Sequence, residues 1–281
     1  MRRSLLFIPA NNPAMMQNAT LFFADSIIFD LEDAVSISEK DSARNLLARF
    51  LVEQNFVNEV IIRINDLDTN YATSDLQNLV SDNIDTIMLP KALPSTLADL
   101  DIILSQIEKQ KNLKKTIKVI PIIEAALSLL KVEEIASFKR VNGLLLGAED
   151  LTKDLEVERT KEGLEILYSR SKVSTAAKAF KIDAIDTPFT DTNDEVGLIA
   201  DIKLAKKLAF NAKACIHPNQ VPIVNELMSP SKEAISWALK VLEASKKTTL
   251  GAFSLEGKMI DKPIIERSKM IIMKAKKFGL L

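Results

Sequence analysis

Short apolar runs, each bounded by polar or turn-forming residues, recur along most of this chain. Runs of that length with little alternation read as strands buried on both faces, as in a parallel sheet. Eight are read, at 4–8, 26–30, 60–64, 86–89, 118–123, 143–146, 184–186 and 212–216. Helical patterns fill most of the gaps. Residues 36–50 open on Ser36 and carry an apolar stripe, and residues 94–111 open on Pro94 and space Leu97, Leu100, Ile103, Leu104 and Ile107 at helical intervals. Residues 194–208 begin with Asp-Glu, which suits the positive end of a helix. Eight alternations of strand and helix predict an α/β fold, a closed (β/α)8 barrel. Ser229-Pro230-Ser231 marks a break. Beyond it, helical patterns at 232–246 and 263–276, joined by 251–262, predict a C-terminal helical extension. The expected organisation is a catalytic barrel over 1–228 and an extension over 229–281 that carries the loop 257–263.

The residues that end the strands are of another kind. Pro9 and Asn11-Asn12-Pro13 follow the first, Glu32 and Asp33 the second, Arg63 and Asn65 stand about the end of the third, and Lys91 follows the fourth. Glu124 follows the fifth, Glu149 and Asp150 the sixth, Asp186 and Thr187 close the seventh, and His217 follows the eighth. Barrel enzymes assemble their sites at the C-terminal ends of the strands, so chemistry is expected there. Glu124 and Asp150 lie one βα unit apart, each at the end of a core strand. A carboxylate at such a tip is too costly to desolvate alone. Two of them from successive strands suit one hard, oxygen-loving ion such as Mg²⁺. The alternative for each is an ion pair with Lys91 or Arg63.

Composition narrows the field. The 281 residues are 47% hydrophobic and 27% charged, with a net charge of -1, so no global field draws the chain to nucleic acid or membrane. Cys215 is the one cysteine, which excludes an intrachain disulfide. The apolar run at the N-terminus stops at Pro9, too early for a signal peptide, and no run approaches the length of a membrane span. The expected location is the cytoplasm.

Motifs in a fixed order then carry a resemblance. They include Arg3-Ser4-Leu5-Leu6-Phe7-Ile8-Pro9, Phe29-Asp30-Leu31-Glu32-Asp33, Arg63-Ile64-Asn65, Leu89-Pro90-Lys91 and Ile123-Glu124. Gly147-Ala148-Glu149-Asp150-Leu151, Arg159-Thr160-Lys161-Glu162-Gly163, Ile216-His217-Pro218-Asn219-Gln220 and Gly257-Lys258-Met259-Ile260-Asp261 continue the series. Over nearly its whole length the chain resembles the β subunits of citrate lyase, within the HpcH/HpaI aldolase/citrate lyase family. That wider family holds citryl-, malyl- and citramalyl-thioester lyases and class II pyruvate aldolases. The resemblance implies a barrel of the phosphoenolpyruvate/pyruvate type. It implies a Mg²⁺-dependent lyase that splits a citryl thioester into oxaloacetate and an acetyl thioester. The thioester carrier is either coenzyme A or an acyl carrier protein. Homotrimers and citrate lyase α and γ subunits are the implied partners. A stand-alone malyl-CoA or citramalyl-CoA lyase is the alternative.

The same resemblance distributes roles. Glu124 and Asp150 become the metal ligands. Arg63 becomes the substrate arginine, whose planar fork suits a carboxylate; its alternative is an ion pair with Glu32. Arg3 is expected to reach the substrate, against a plain place on the bottom face, and Arg2 is expected on the surface. Glu32 either relays a proton or orients Arg63, against a purely structural role. Lys91 either binds a substrate carboxylate or pairs with a neighbouring acid. Free amides at Asp150 and Leu151, at the start of a helix, would receive a substrate carboxylate. Asp261 is the expected acid/base; read locally, it is an N-cap before a helix opened by Pro263. His217 is either site-lining or structural. The pyruvate aldolases of the family carry a His near the second strand tip, and this chain has none there, which favours the thioester branch. Ala10 and Ala125 depart from the family's usual Gly and Thr or Ser.

Overall fold

Eight parallel strands close into a barrel in strict chain order. The structure, a computed structural model, describes residues 1–248 and 251–281. The strands are β1 (Ser4–Pro9), β2 (Ser26–Asp30), β3 (Glu59–Arg63), β4 (Thr86–Leu89), β5 (Lys118–Ile123), β6 (Gly143–Leu146), β7 (Asp183–Asp186) and β8 (Ala212–Cys215). Closure is made by β1 on β8, with Leu5 opposite Ala214 and Leu6 opposite Cys215. The predicted barrel is therefore what forms. Strand limits shift by a residue at several ends, and β8 stops at Cys215, one residue before the expected Ile216.

One stripe of each strand faces inward and the other faces the helices, because strand side chains alternate. Leu5, Ile28, Ile61, Met88, Ile120, Ile122, Leu145, Ile185, Ala212 and Ala214 form a single buried cluster, the barrel interior. The outward stripe packs on helices such as Lys40–Glu53, which buries Ala43, Leu47 and Leu51, and Pro94–Gln110, which buries Leu97, Leu100, Leu104 and Ile107. Phe29 points outward and meets Phe50 and Phe56 edge-on at 5.9 and 5.7 Å. Among the described residues no helix is long and apolar enough to cross a membrane.

The outward stripe also holds a buried ionic cluster. Asp186 accepts from Arg170 Nε and Nη2 at 2.9 and 3.0 Å and from Lys213 Nζ at 2.6 Å. Asp201 binds both cations, at 2.6 Å each. Two positive and two negative groups thus neutralise one another behind β7 and β8. Asp186, a polar strand end in the sequence, turns away from the barrel mouth and is consumed in this cluster.

The chain divides into two compact units, Met1–Asn225 and Glu226–Leu281. In the second, helices Lys232–Lys246 and Lys262–Lys277 pack on each other. The stretch between them, read in sequence as a simple connection, contains an antiparallel hairpin of β9 (Phe253–Leu255) and β10 (Lys258–Ile260). Its two-residue loop holds Glu256 at φ 48° and Gly257 at φ 77°, the backbone that matches hairpin twist. Lys258 Nζ lies 4.8 Å from the centre of the Trp237 ring.

Candidate active site

Stepping up each strand by two residues from the core leads to the barrel mouth. Leu5 leads to Phe7, Ile28 to Asp30, Ile61 to Arg63, and Ile122 to Glu124; Leu145 leads to Gly147. The alternation that buries the interior therefore aims these side chains at one place. Phe7, Asp33, Arg63, Glu124, Glu149 and Asp150 line a common pocket of about 140 Å³. A second pocket of about 350 Å³ adjoins it, bounded by Phe7, Pro9, Asp30, Ala34, Arg63 and Ile216.

Arg63 is the centre of this constellation. Its Nε and Nη2 donate to the two oxygens of Asp30 at 2.7 and 2.6 Å, a bidentate pair. Its Nη1 stands 3.1 Å from Glu32 and 3.1 Å from Asp33. The guanidinium also lies 5.0 Å over the Phe7 ring. The Glu32 contact foreseen from sequence is present, but Asp30 is the principal partner, and sequence reasoning overlooked it. Asp30 ends β2 in step with Ile28, a signal that was legible. Lys40 braces the same loop from behind, donating to the carbonyls of Leu31 and Glu32 at 2.7 and 2.5 Å.

One arginine thus serves three carboxylates, and the electrostatics follow. Burial pushes Glu32 up to about 8, opposed by Arg63 and reinforced by Asp33, Glu124 and Asp30. Burial likewise pushes Glu124 up to about 7. The Lys91 amide, donating at 2.5 Å, opposes that rise, and the charge of Asp150 adds to it. Glu124 is 8% exposed, whereas Asp150 stands exposed in the first turn of the helix Ala148–Asp154. A carboxylate whose ionised form is disfavoured chiefly by burial, and further by neighbouring negative charge, is one that a bound cation would stabilise. Among the described residues no group of three or more His, Cys, Asp or Glu side chains forms a protein cage for a metal. Mg²⁺ does not need one, since it takes one or two carboxylates and keeps water or substrate oxygens elsewhere. Glu124 and Asp150, all-oxygen donors facing one pocket, fit such an ion.

Other expected site residues lie differently. Arg3 is not brought to the mouth. It sits before β1, at the opposite end of the barrel, where Nε and Nη2 donate to Asp25 at 2.9 and 2.8 Å. A residue ahead of a strand whose C-terminal end forms the mouth cannot reach across the filled core. Arg2, expected on the surface, is 6% exposed and plugs that lower end. Leu151 is also corrected: its amide donates to the Gly147 carbonyl at 3.1 Å and its side chain is fully buried, so neither is free for a substrate. Lys91 turns its ammonium to Asp66 at 2.9 Å, and that bond holds its pKa above the usual lysine value. It contributes its backbone to the site instead. His217 accepts the Asn219 amide at its Nδ1, 3.2 Å away, a local turn bond. Asp261 belongs to the second unit, where it caps Lys262–Lys277 by accepting from the Ile264 amide at 3.2 Å. Asn12 caps the short helix Pro13–Gln17 through Met15, and Asn11 donates to Glu39 at 3.0 Å.

The family model described as HpcH/HpaI aldolase/citrate lyase matches residues 3–218. The chain is 37% identical to the citrate lyase subunit beta of Haemophilus influenzae, over 98% of this chain and 97% of that one. It is 31% identical to the human mitochondrial citramalyl-CoA lyase, over 95% and 84% of the two chains. Among solved structures, the CitE protein of Mycobacterium tuberculosis in complex with magnesium, acetoacetate and coenzyme A superposes with a TM-score of 0.80. It shares 31% identity and 98% of each chain is covered.

Proposed function

This chain belongs to the HpcH/HpaI aldolase/citrate lyase family and is a carbon–carbon lyase, and from that premise we propose that it cleaves a citryl thioester to oxaloacetate and an acetyl thioester. The observation that carries this reading is the convergence of Glu124, Asp150 and Arg63 on one pocket. Glu124 and Asp150 would hold Mg²⁺, in keeping with the magnesium in the related complex. Bound there, the ion would supply Lewis-acid stabilisation of the charge that develops as the C–C bond breaks.

The chain's own groups have distinct tasks. Arg63, stiffened by Asp30 and stacked on Phe7, presents a fixed cation to a substrate carboxylate. Cleavage requires one group to take the hydroxyl proton and another to protonate the enolate carbon of the departing acetyl thioester. Glu32, at the mouth beside Arg63, is assigned the hydroxyl proton. Asp261 is assigned protonation of the enolate carbon, a role supported by family resemblance. The same resemblance supports a homotrimer, citrate lyase α and γ partners, and a cytoplasmic location.

The higher identity to citrate lyase β than to citramalyl-CoA lyase favours the citryl substrate. The test is oxaloacetate release from citryl-CoA by the purified chain, with Mg²⁺ and with chelator, alongside malyl-CoA and citramalyl-CoA. Mg²⁺-dependent oxaloacetate release is expected. Cleavage of malyl- or citramalyl-CoA instead would replace citryl as the substrate, and chelator-resistant turnover would overturn the metal assignment.

A further inference from the structure

Two backbone features at neighbouring strand tips bear on the same carboxylate. On one side, Lys91 has a positive φ of 46°, a conformation uncommon for a residue with a β-carbon. The chain turns sharply there: the Lys91 amide faces Glu124 Oε1 at 2.5 Å while its side chain departs to Asp66. On the other side lies Gly147, whose φ is unremarkable, so conformational freedom does not account for it. Space does. A β-carbon at 147 would stand 2.7 Å from Glu124 Cβ, 2.8 Å from Glu124 Oε2 and 2.8 Å from Ile122 Cγ2. These distances are too short for any real contact, and one of the atoms is the second carboxylate oxygen. Oε1 is tethered by an amide and Oε2 occupies the room a side chain at 147 would take.

We propose that Gly147 and the Lys91 amide form a clamp that positions Glu124 for a divalent cation, with Gly147 a positioning residue. The inference rests on the metal reading above. Loss of an outer group that orients a ligand typically costs roughly 10- to 100-fold in metal affinity.

The experiment uses Mn²⁺ as a paramagnetic stand-in for Mg²⁺, with binding read by electron paramagnetic resonance and folding read by thermal melting in chelator. Gly147→Ala is expected to weaken Mn²⁺ binding by about tenfold or more. Gly143→Ala, at the start of β6, is the control: its added carbon meets the Ile185 Cδ1 side-chain end at 3.1 Å and the Asp183 carbonyl at an ordinary 3.4 Å, away from Glu124, and Mn²⁺ affinity should hold. Glu124→Ala separates the two levels of the argument. If it binds Mn²⁺ as tightly as wild type, the metal reading itself falls. If it loses Mn²⁺ while Gly147→Ala keeps wild-type affinity, the clamp alone falls. Should Gly147→Ala fail to fold, the wild-type chain supplies the test by amide NMR. The Lys91 proton should resonate downfield and exchange slowly, and both properties should be lost in Glu124→Ala. A Lys91 amide indifferent to that change would overturn the clamp.

Discussion

The two ends of the barrel put carboxylates to opposite use, and β3 carries both. Its first residue, Glu59, sits one inward step below the core, and its last, Arg63, one step above. At the lower end Glu59 receives Arg2 Nε and Nη2 at 2.5 and 2.6 Å, Ser26 Oγ at 2.6 Å and Thr86 Oγ1 at 2.9 Å. Burial pushes Glu59 up, but these donors outweigh it and bring the group down to about 2. At the upper end the ratio is reversed. Arg63 is divided among Asp30, Glu32 and Asp33, and Glu124 has a backbone amide, so Glu32 and Glu124 rise to about 8 and 7. Similar burial gives opposite shifts because the supply of donors differs. The lower end is neutralised and serves stability; the upper end holds more carboxylates than cationic partners, an arrangement suited to a functional site.

The sharpest way to break this contrast is to remove the upper carboxylates. Glu124→Gln and Asp150→Asn should each lower lyase turnover on the order of a thousand-fold, the scale of several kcal/mol of lost charge stabilisation. Melting temperature should hold or rise. Turnover near wild type in either variant would dissolve the functional half of the comparison. Next in size is the lower end. Arg2→Met takes from Glu59 and Asp183 their shared guanidinium, and loss of one partner from a largely buried ionic group should cost roughly 3–5 kcal/mol of stability by urea unfolding. The folded fraction should keep its turnover; an unchanged unfolding midpoint would refute the plug.

The two ends should also respond oppositely to pH. Glu59 lies below its unfolded value of 4.5, so its contribution is present above pH 4.5 and lost as pH falls from there towards 2. Glu32 and Glu124 lie above theirs, so in chelator their contribution is full below pH 4.5 and lost as pH rises through 7 to 8. Melting curves in chelator should therefore fall across that upper window, and Glu32→Gln with Glu124→Gln should flatten the slope. Persistence of the slope in the double variant would place its cause elsewhere. The smallest effect belongs to Arg3. Arg3→Ala should cost about 1 kcal/mol, the upper end for an ion pair that keeps some contact with solvent, and change turnover less than about twofold. A large loss of turnover would return Arg3 to the site.

Much of this was legible beforehand. The eight apolar runs fixed the strands, and their polar ends nominated Arg63, Glu32, Glu124 and Asp150. Period-two stepping from Ile28 and Leu145 would also have found Asp30 and Gly147, had the inward stripe been traced residue by residue. Leu151 was misjudged for a different reason. Whether an amide is free depends on the helix or turn it enters, and Leu151 is spent on Gly147 within its own helix.

The sequence by itself determined the barrel and the end at which chemistry gathers, because strand length, alternation and terminal polarity are local properties of the chain. Only the tertiary structure decided which charges are matched. Arg2 meets Glu59 across 57 positions and Asp183 across 181, and Lys91 lends its amide to Glu124 across 33. Nothing local distinguishes Arg2 from Arg3, or tells how many donors Glu59 and Glu124 will each receive. Their difference lies in how many donors barrel closure delivers to each carboxylate, and closure is a property of the whole chain.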